Sequence, residues 1–197
     1  MKQTPPQCIM LAGPNGAGKS SIARTLLAET FGVTTFVNAD VIAQGLSGFA
    51  PESAAWEASR VMLDRLHQLA ASREDFAFET TLAARSYAGW IDELRQSGYW
   101  CVLNYVWLES ADLAVARVQH RVAAGGHHIP EHTIRQRYRR SVSNFFELYR
   151  SRVDEWYAYD NSSPEQTAMI AEGAAGGSVI VHNPKRWQQM QEQVQND

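Results

Sequence analysis

Gly13-Pro14-Asn15-Gly16-Ala17-Gly18-Lys19-Ser20 is the run whose residue types and spacing speak most directly of chemistry. It fits G-x-x-x-x-G-K-[ST], the phosphate-binding loop. Its glycines let successive backbone N–H groups converge on phosphate oxygens, and the helix that follows adds a positive amino end. Lys19 then reaches the β- and γ-phosphates of ATP, and Ser20 ligates Mg²⁺.

A phosphate held this way needs an acceptor or a switch. Asp40 follows the β-rich stretch Thr34–Val37, at the strand edge that lines the ligand crevice of an open parallel sheet. A carboxylate there can take the proton from an acceptor hydroxyl. The competing reading is a helix cap before Val41 and Ile42. Glu79 ends the apolar run Phe76–Phe78, where it can bind the acceptor or hold Mg²⁺ through water, and Thr81 can donate to a phosphate. The competing reading for Glu79 is a cap on the following turn. Glu109 reads as mainly structural. Arg117 and Arg121 share a helix face, being four apart. They precede Gly125-Gly126-His127-His128-Ile129-Pro130, a loop with mobile glycines and a rigid exit, and Arg135 and Arg137 follow it. Arginines on such a lid can neutralise charge on a transferring phosphoryl group. The histidine pair lacks the partners of a metal site. No Asn-Lys-x-Asp base-reading motif of a regulatory GTPase is present. Leu46-Ser47-Gly48-Phe49 only partly resembles a transporter signature and lies too close to Lys19.

These residues need a scaffold. Gln7–Leu11 predicts a short buried strand, Lys19–Phe31 a helix, and Thr34–Val37 a second strand. Pro51 opens a helix to about Ala71, with Met62, Leu66 and Leu69 on its apolar stripe. Phe76–Leu82 predicts a third strand, and Ser86 caps a helix that stops at Gly98. Trp100–Leu108 is apolar throughout except at Asn104, as in a strand covered on both faces. Ser110 caps the next helix. The 3–4 spacing of Ile134, Tyr138, Val142, Phe145, Tyr149, Val153 and Trp156 predicts one long helix from Glu131 to about Tyr159. Ala168–Ala171 and Ser178–Val181 predict a hairpin, and Asn183-Pro184 opens a final helix. The alternation argues for a parallel α/β sheet with right-handed crossovers.

The chain has 197 residues, 45% of them apolar and 20% charged, which suits one globular domain and excludes a disordered or disulfide-built one. Net charge is −3, so no global field favours nucleic acid. Eight arginines but only two acids fall within residues 113–152. No apolar run spans a membrane. The apolar stretch near the N-terminus is too short for a signal peptide, and a cytoplasmic location is expected. Cys8 and Cys101 lie in predicted strands and read as buried thiols.

The loop at Gly13–Ser20, Asn38-Ala39-Asp40, Glu79-Thr80-Thr81, the 125–130 loop, and the run from Arg135 through Tyr138 to Asp160-Asn161-Ser162 together resemble the zeta-toxin family of P-loop kinases, in its chromosomal, stand-alone branch. The resemblance spans about Gln7 to Val181. It implies a P-loop kinase three-layer α/β sandwich with a parallel sheet, a helical lid over 117–140 and a C-terminal hairpin-and-helix appendage over 165–197. It also implies ATP or GTP with Mg²⁺, and phosphorylation of the 3′-hydroxyl of the amino sugar in UDP-N-acetylglucosamine. Lys19 would then be the phosphate-loop lysine, Asp40 the base, Glu79 and Thr81 the acceptor contacts and Arg121 the first lid arginine. Aligning the proline places His127 where the family's second lid arginine stands, with Arg135 and Arg137 beyond it. Thr80 is bulkier than the glycine often found there. Phosphoryl transfer to a UDP-amino sugar is the expected function. A kinase for another nucleotide or cofactor, or a regulatory module with slow ATP hydrolysis, stands as the alternative. The expected partners are a nucleotide, a small acceptor and, on the family's pattern, an antitoxin protein.

Overall fold

Cys8–Ala12 is entirely apolar, so it must be covered on both faces, and the fold supplies that cover. The computed structural model describes residues 4–126, 128–163 and 166–195. In chain order the strands are β1 (Gln7–Ala12), β2 (Phe36–Val37), β3 (Phe76–Thr80), β4 (Trp100–Trp107), β5 (Glu155–Asp160), β6 (Ala168–Ala174) and β7 (Ile180–Val181). The helices are α1 (Lys19–Arg24, continued by a wider π turn over Thr25–Thr30), α2 (Ala39–Leu46), α3 (Ala55–Ala71), α4 (Tyr87–Gln96), α5 (Ala111–Ala123), α6 (Glu131–Asn144, continued by a π turn over Phe145–Tyr149) and α7 (Pro184–Gln195).

One sheet runs in the order β2-β3-β1-β4-β5-β6-β7. β1 pairs in parallel with β3 and β4, in register Cys8↔Phe76 and Cys8↔Cys101. β2 joins β3, and β5 joins β4, also in parallel. β6 turns back on β5, and β7 on β6. The C-terminal hairpin therefore continues the main sheet. The inner strands are apolar on both faces because helices cover both. On one face Phe76 and Phe78 meet Trp90 of α4, and Tyr105 stacks on Phe145. On the other, Phe31 packs against Tyr157. Cys8 and Cys101 are buried free thiols. Among the described residues no helix is long and apolar enough to cross a membrane.

Three expectations need correcting. The long helix ends at Tyr149, and Glu155–Asp160 is a strand instead. Its stop is set by tertiary partners of Asp154, whose carboxylate accepts Cys101 N–H at 2.8 Å and pairs with Arg95 at 2.9 Å. Trp156 and Ala158 then alternate into the core, a period of two that Tyr149, Val153 and Trp156 disguise as a helical one. Ser86 stands at the N-cap of α4 but its side chain makes no cap hydrogen bond. Asp40 does not end a strand: β2 stops at Val37, and Asp40 is the second residue of α2. The cap is Asn38, which accepts Asp40 N–H at 2.8 Å. Ser110 caps α5 as expected, accepting Leu113 N–H at 3.1 Å.

Candidate active site

β1 delivers the phosphate loop to the carboxyl edge of the sheet. Gly13 adopts φ +143°, and a Cβ there would lie 2.2 Å from the Val106 carbonyl oxygen. Gly16 packs closely too, with a Cβ placed 2.8 Å from the Ala114 oxygen. Only glycine fits either position. Lys19 is 6% exposed and its Nζ donates to the carbonyls of Gly13 (2.8 Å) and Pro14 (3.1 Å). Burial pushes its pKa below the usual lysine value; the Glu79 and Asp40 carboxylates oppose that shift, and the Arg121 guanidinium adds to it. Lys19, Glu79, Asp40 and Arg121 thus share one electrostatic neighbourhood.

Glu79 is the hub. Its Oε1 sits 3.6 Å from Lys19 Nζ, and its Oε2 accepts from Ser20 Oγ and from Asn38 Nδ2, each at 2.8 Å. Asn38 in turn caps α2 with its Oδ1, so one amide joins Glu79 to the helix that carries Asp40. Asp40 itself is exposed in the first turn of α2, where the helix end favours a negative charge. Thr81 lies half-buried in the turn after β3, its hydroxyl accepting Ala83 N–H at 3.5 Å. Leu82 holds the left-handed conformation there (φ +60°), with its carbonyl accepting from Asn144 of α6 at 2.8 Å.

The arginines divide. Arg117 donates to the Ser162 carbonyl at 3.0 Å, and its Cβ borders Gly16. Arg121 is exposed on α5 within electrostatic reach of Lys19. Arg135 pairs with Asp112 (2.6 Å) and Glu131 (2.8 Å). Arg137 is half-buried on α6. His127 lies outside the described residues. Glu109, expected to be structural, pairs with Arg186 of α7 at 2.8 Å.

The loop and the carboxylate beside it suit a phosphate and a cation. The glycine cradle leaves no room for side chains, and Asn15 Oδ1 is buried in the loop without a hydrogen-bond partner among the described residues. Ser20 Oγ and Glu79 offer hard oxygen donors at one point, which fits Mg²⁺ completed by phosphate oxygens and water. No cluster of three or more His, Cys, Asp or Glu suited to a metal occurs among the described residues.

The AAA domain family model matches residues 8–143, from β1 to within the last turn of α6. The chain belongs to the AAA domain family. Within this AAA domain lie the phosphate loop, Asp40, Glu79, Arg121 and Arg137. An uncharacterized protein of Haemophilus influenzae is 28% identical over 132 residues, covering 67% of the chain and 92% of the relative. Among solved structures, a chain of the AvrRxo1-ORF1:AvrRxo1-ORF2 complex with sulphate ions superposes with a TM-score of 0.75 at 16% identity over 95% of the chain. The chain spans 64% of that protein's length. A chain of the PezAT chromosomal toxin–antitoxin system of Streptococcus pneumoniae gives 0.62 at 14% identity, covering 100% of the chain and 88% of its own. A gluconokinase of Sinorhizobium meliloti gives 0.50 at 21% identity over 81% of the chain and 85% of its own. The fold is that of P-loop kinases.

Sequence reasoning misses two parts of this site. Asn38 enters it only within a family motif, although an Asn between a strand and a helix is itself a cap signal. Asn161 likewise enters only through the family resemblance; its Nδ2 donates to the Ala17 carbonyl at 2.8 Å, a contact 144 residues apart that no local pattern announces.

Proposed function

We propose that the chain transfers the γ-phosphate of ATP to a hydroxyl of a small acceptor, with a UDP-N-acetylglucosamine-type sugar nucleotide as the preferred acceptor class. The observation that carries the reading is the chain Lys19–Glu79–Asn38–α2, which ties the phosphate-loop lysine to the helix presenting Asp40. A nucleotide switch has no use for a carboxylate held there; a hydroxyl acceptor needs one. In the step, the acceptor oxygen bonds to the γ-phosphorus as its proton passes to Asp40. The bond from that phosphorus to the β,γ-bridging oxygen breaks, and ADP leaves. Lys19 holds the β- and γ-phosphates, and Arg121 offsets charge on the transferring group. Ser20 and Glu79 would hold Mg²⁺, which supplies neutralisation of the phosphate oxygens when bound. Thr81, on the rigid turn at Leu82, faces the acceptor with Glu79. Arg137 is the preferred candidate for the second lid arginine, because Arg135 is occupied by two carboxylates.

Support comes from the P-loop kinase fold, the solved AvrRxo1-ORF1 complex with ATP and the gluconokinase neighbour. The sugar-nucleotide acceptor and an antitoxin partner rest on the resemblance to zeta toxins and on the PezAT toxin–antitoxin neighbour. The test is incubation with labelled ATP, Mg²⁺ and a panel of sugar nucleotides, nucleosides and sugar acids, with mass detection of products. Asp40→Asn is expected to lower transfer by about 10²–10⁴-fold while Mg-ATP affinity stays within about twofold. Transfer by a folded Asp40→Asn protein at the wild-type rate removes Asp40 from the mechanism and favours a regulatory role.

A further inference from the structure

The family match ends at residue 143, yet the phosphate loop is gripped from beyond it. At the end of β5, Asn161 reaches back to the loop. Its backbone N–H donates to the Trp107 carbonyl at 3.0 Å, which seats it on β4. Its Oδ1 accepts from Thr167 Oγ1 at 2.8 Å, and this sets which way the amide points. The remaining face, Nδ2, donates to the Ala17 carbonyl at 2.8 Å and lies where a Gly18 side chain would stand, 2.5 Å from a Cβ built there.

A trans peptide points its C=O and its N–H in opposite directions. Holding the Ala17 carbonyl toward Asn161 therefore aims the Gly18 N–H the other way, away from Asn161, and in a phosphate-binding loop such amides are the phosphate donors. The turn bearing Asn161 is itself locked. Asp160 Oδ1 accepts from Ser162 N at 2.8 Å and from the Ser162 hydroxyl, while its Oδ2 pairs with Arg186 Nε of α7 at 2.9 Å. Ser162 Oγ accepts Glu109 N–H at 2.9 Å, and the Ser162 carbonyl accepts from Arg117 at 3.0 Å.

We propose that Asn161 is a positioning residue for the nucleotide phosphates, and that the C-terminal segment carrying Asp160, Thr167 and Arg186 completes the nucleotide site. The inference rests on the phosphate-loop reading above. It gives the C-terminal strand, hairpin and helix a role in binding a nucleoside triphosphate beyond closing the sheet.

The experiment titrates wild type, Asn161→Asp, Asn161→Ala, Thr167→Val and Lys19→Ala with Mg-ATP in a calorimeter, beside thermal midpoints of the ligand-free proteins. Asn161→Ala is expected to weaken Mg-ATP about 2- to 12-fold, the span of one net hydrogen bond. Asn161→Asp is expected to weaken it further, at least about tenfold, because a carboxylate then faces the Ala17 carbonyl and the incoming phosphates. Thr167→Val, which frees the amide to flip without touching the loop, should fall between wild type and Asn161→Ala. Ligand-free midpoints should stay close to wild type for Thr167→Val and fall for Asn161→Asp, whose carboxylate leaves the Ala17 carbonyl without its donor. Asn161→Asp binding Mg-ATP within about twofold of wild type, while Lys19→Ala binds none, overturns the role of Asn161 and leaves the phosphate loop standing. If wild type and Lys19→Ala bind alike, the phosphate-loop reading falls and takes this one with it. Should Asn161→Asp fail to fold, Thr167→Val decides: unchanged affinity there also overturns the proposal.

Discussion

Replacing Glu79 by glutamine tests whether the loop lysine depends on this one carboxylate. The two charges are 3.6 Å apart, with side chains 6% and 13% exposed. At an effective dielectric of about 20 their attraction is roughly 4–5 kcal/mol before desolvation. Removing one member of a buried pair costs about 3–5 kcal/mol, because the other charge is left uncompensated. Lys19 retains its two loop carbonyls, and the one oxygen of the substituted amide can still accept from both Ser20 and Asn38, as Glu79 Oε2 does. The expected loss is therefore at or just below the lower end of that span, about 2–3 kcal/mol. For a chain of this length that is a fall of roughly 4–12 °C in Tm. Glu79 would also hold the Mg²⁺ of Mg-ATP, so the nucleotide should stabilise wild type more than the variant and the gap between them should widen when it is added. Differential scanning calorimetry with and without Mg-ATP measures both. A ligand-free Glu79→Gln protein melting within about 1 °C of wild type would refute the reasoning, since Lys19 would then owe nothing to Glu79.

Gly13→Ala should be the most damaging single methyl in the chain, because its Cβ meets the Val106 carbonyl backbone, which cannot yield. Expression in soluble form with wild-type Mg-ATP affinity would show that the loop is not held against β4 as described. A second expectation concerns alkali. All seven tyrosines have raised pKa values, with Tyr99, Tyr149, Tyr157 and Tyr159 pushed up to about 12, chiefly by burial. The folded state then binds more protons than the unfolded one between about pH 10 and 12, so stability is full below about pH 10 and is lost as pH rises through that window. Tyrosinate absorbance should be nearly absent at about pH 10 in the folded protein, and urea midpoints should fall from about pH 9 to pH 11. All the phenols titrating together near their ordinary value before unfolding would contradict the burial.

What can be read from sequence is whatever local chemistry determines. Gly13–Ser20 carries its own conformation in its glycines, the Ser110 cap needs only its own helix, and the apolar run Trp100–Leu108 can only be a covered strand. Two of the failures involve distant partners. β5 is hidden because Asp154 stops the preceding helix through Arg95 and Cys101, neither of them near in sequence. Arg135 looks available for a phosphate until α5 brings Asp112 to it. Asp40 stands at the right edge but on a different element from the one expected, because Asn38 starts a helix earlier than the pattern of apolar residues suggests. Burial alone cannot tell these arginines and acids apart, since their meaning lies in which charge the fold sets opposite each.

The 144 residues between Ala17 and Asn161 also bear on the protein's synthesis. The phosphate loop leaves the ribosome early, but its clamp follows only after about 7–30 s at the usual pace of translation. During that interval β1 has β3 and then β4 beside it, while β5, and the turn that holds the Ala17 peptide, do not yet exist. A nascent chain can thus assemble the parallel core of its sheet before the Ala17 peptide is held. On the role proposed for Asn161, the loop reaches its full affinity for ATP only with the segment that closes the sheet.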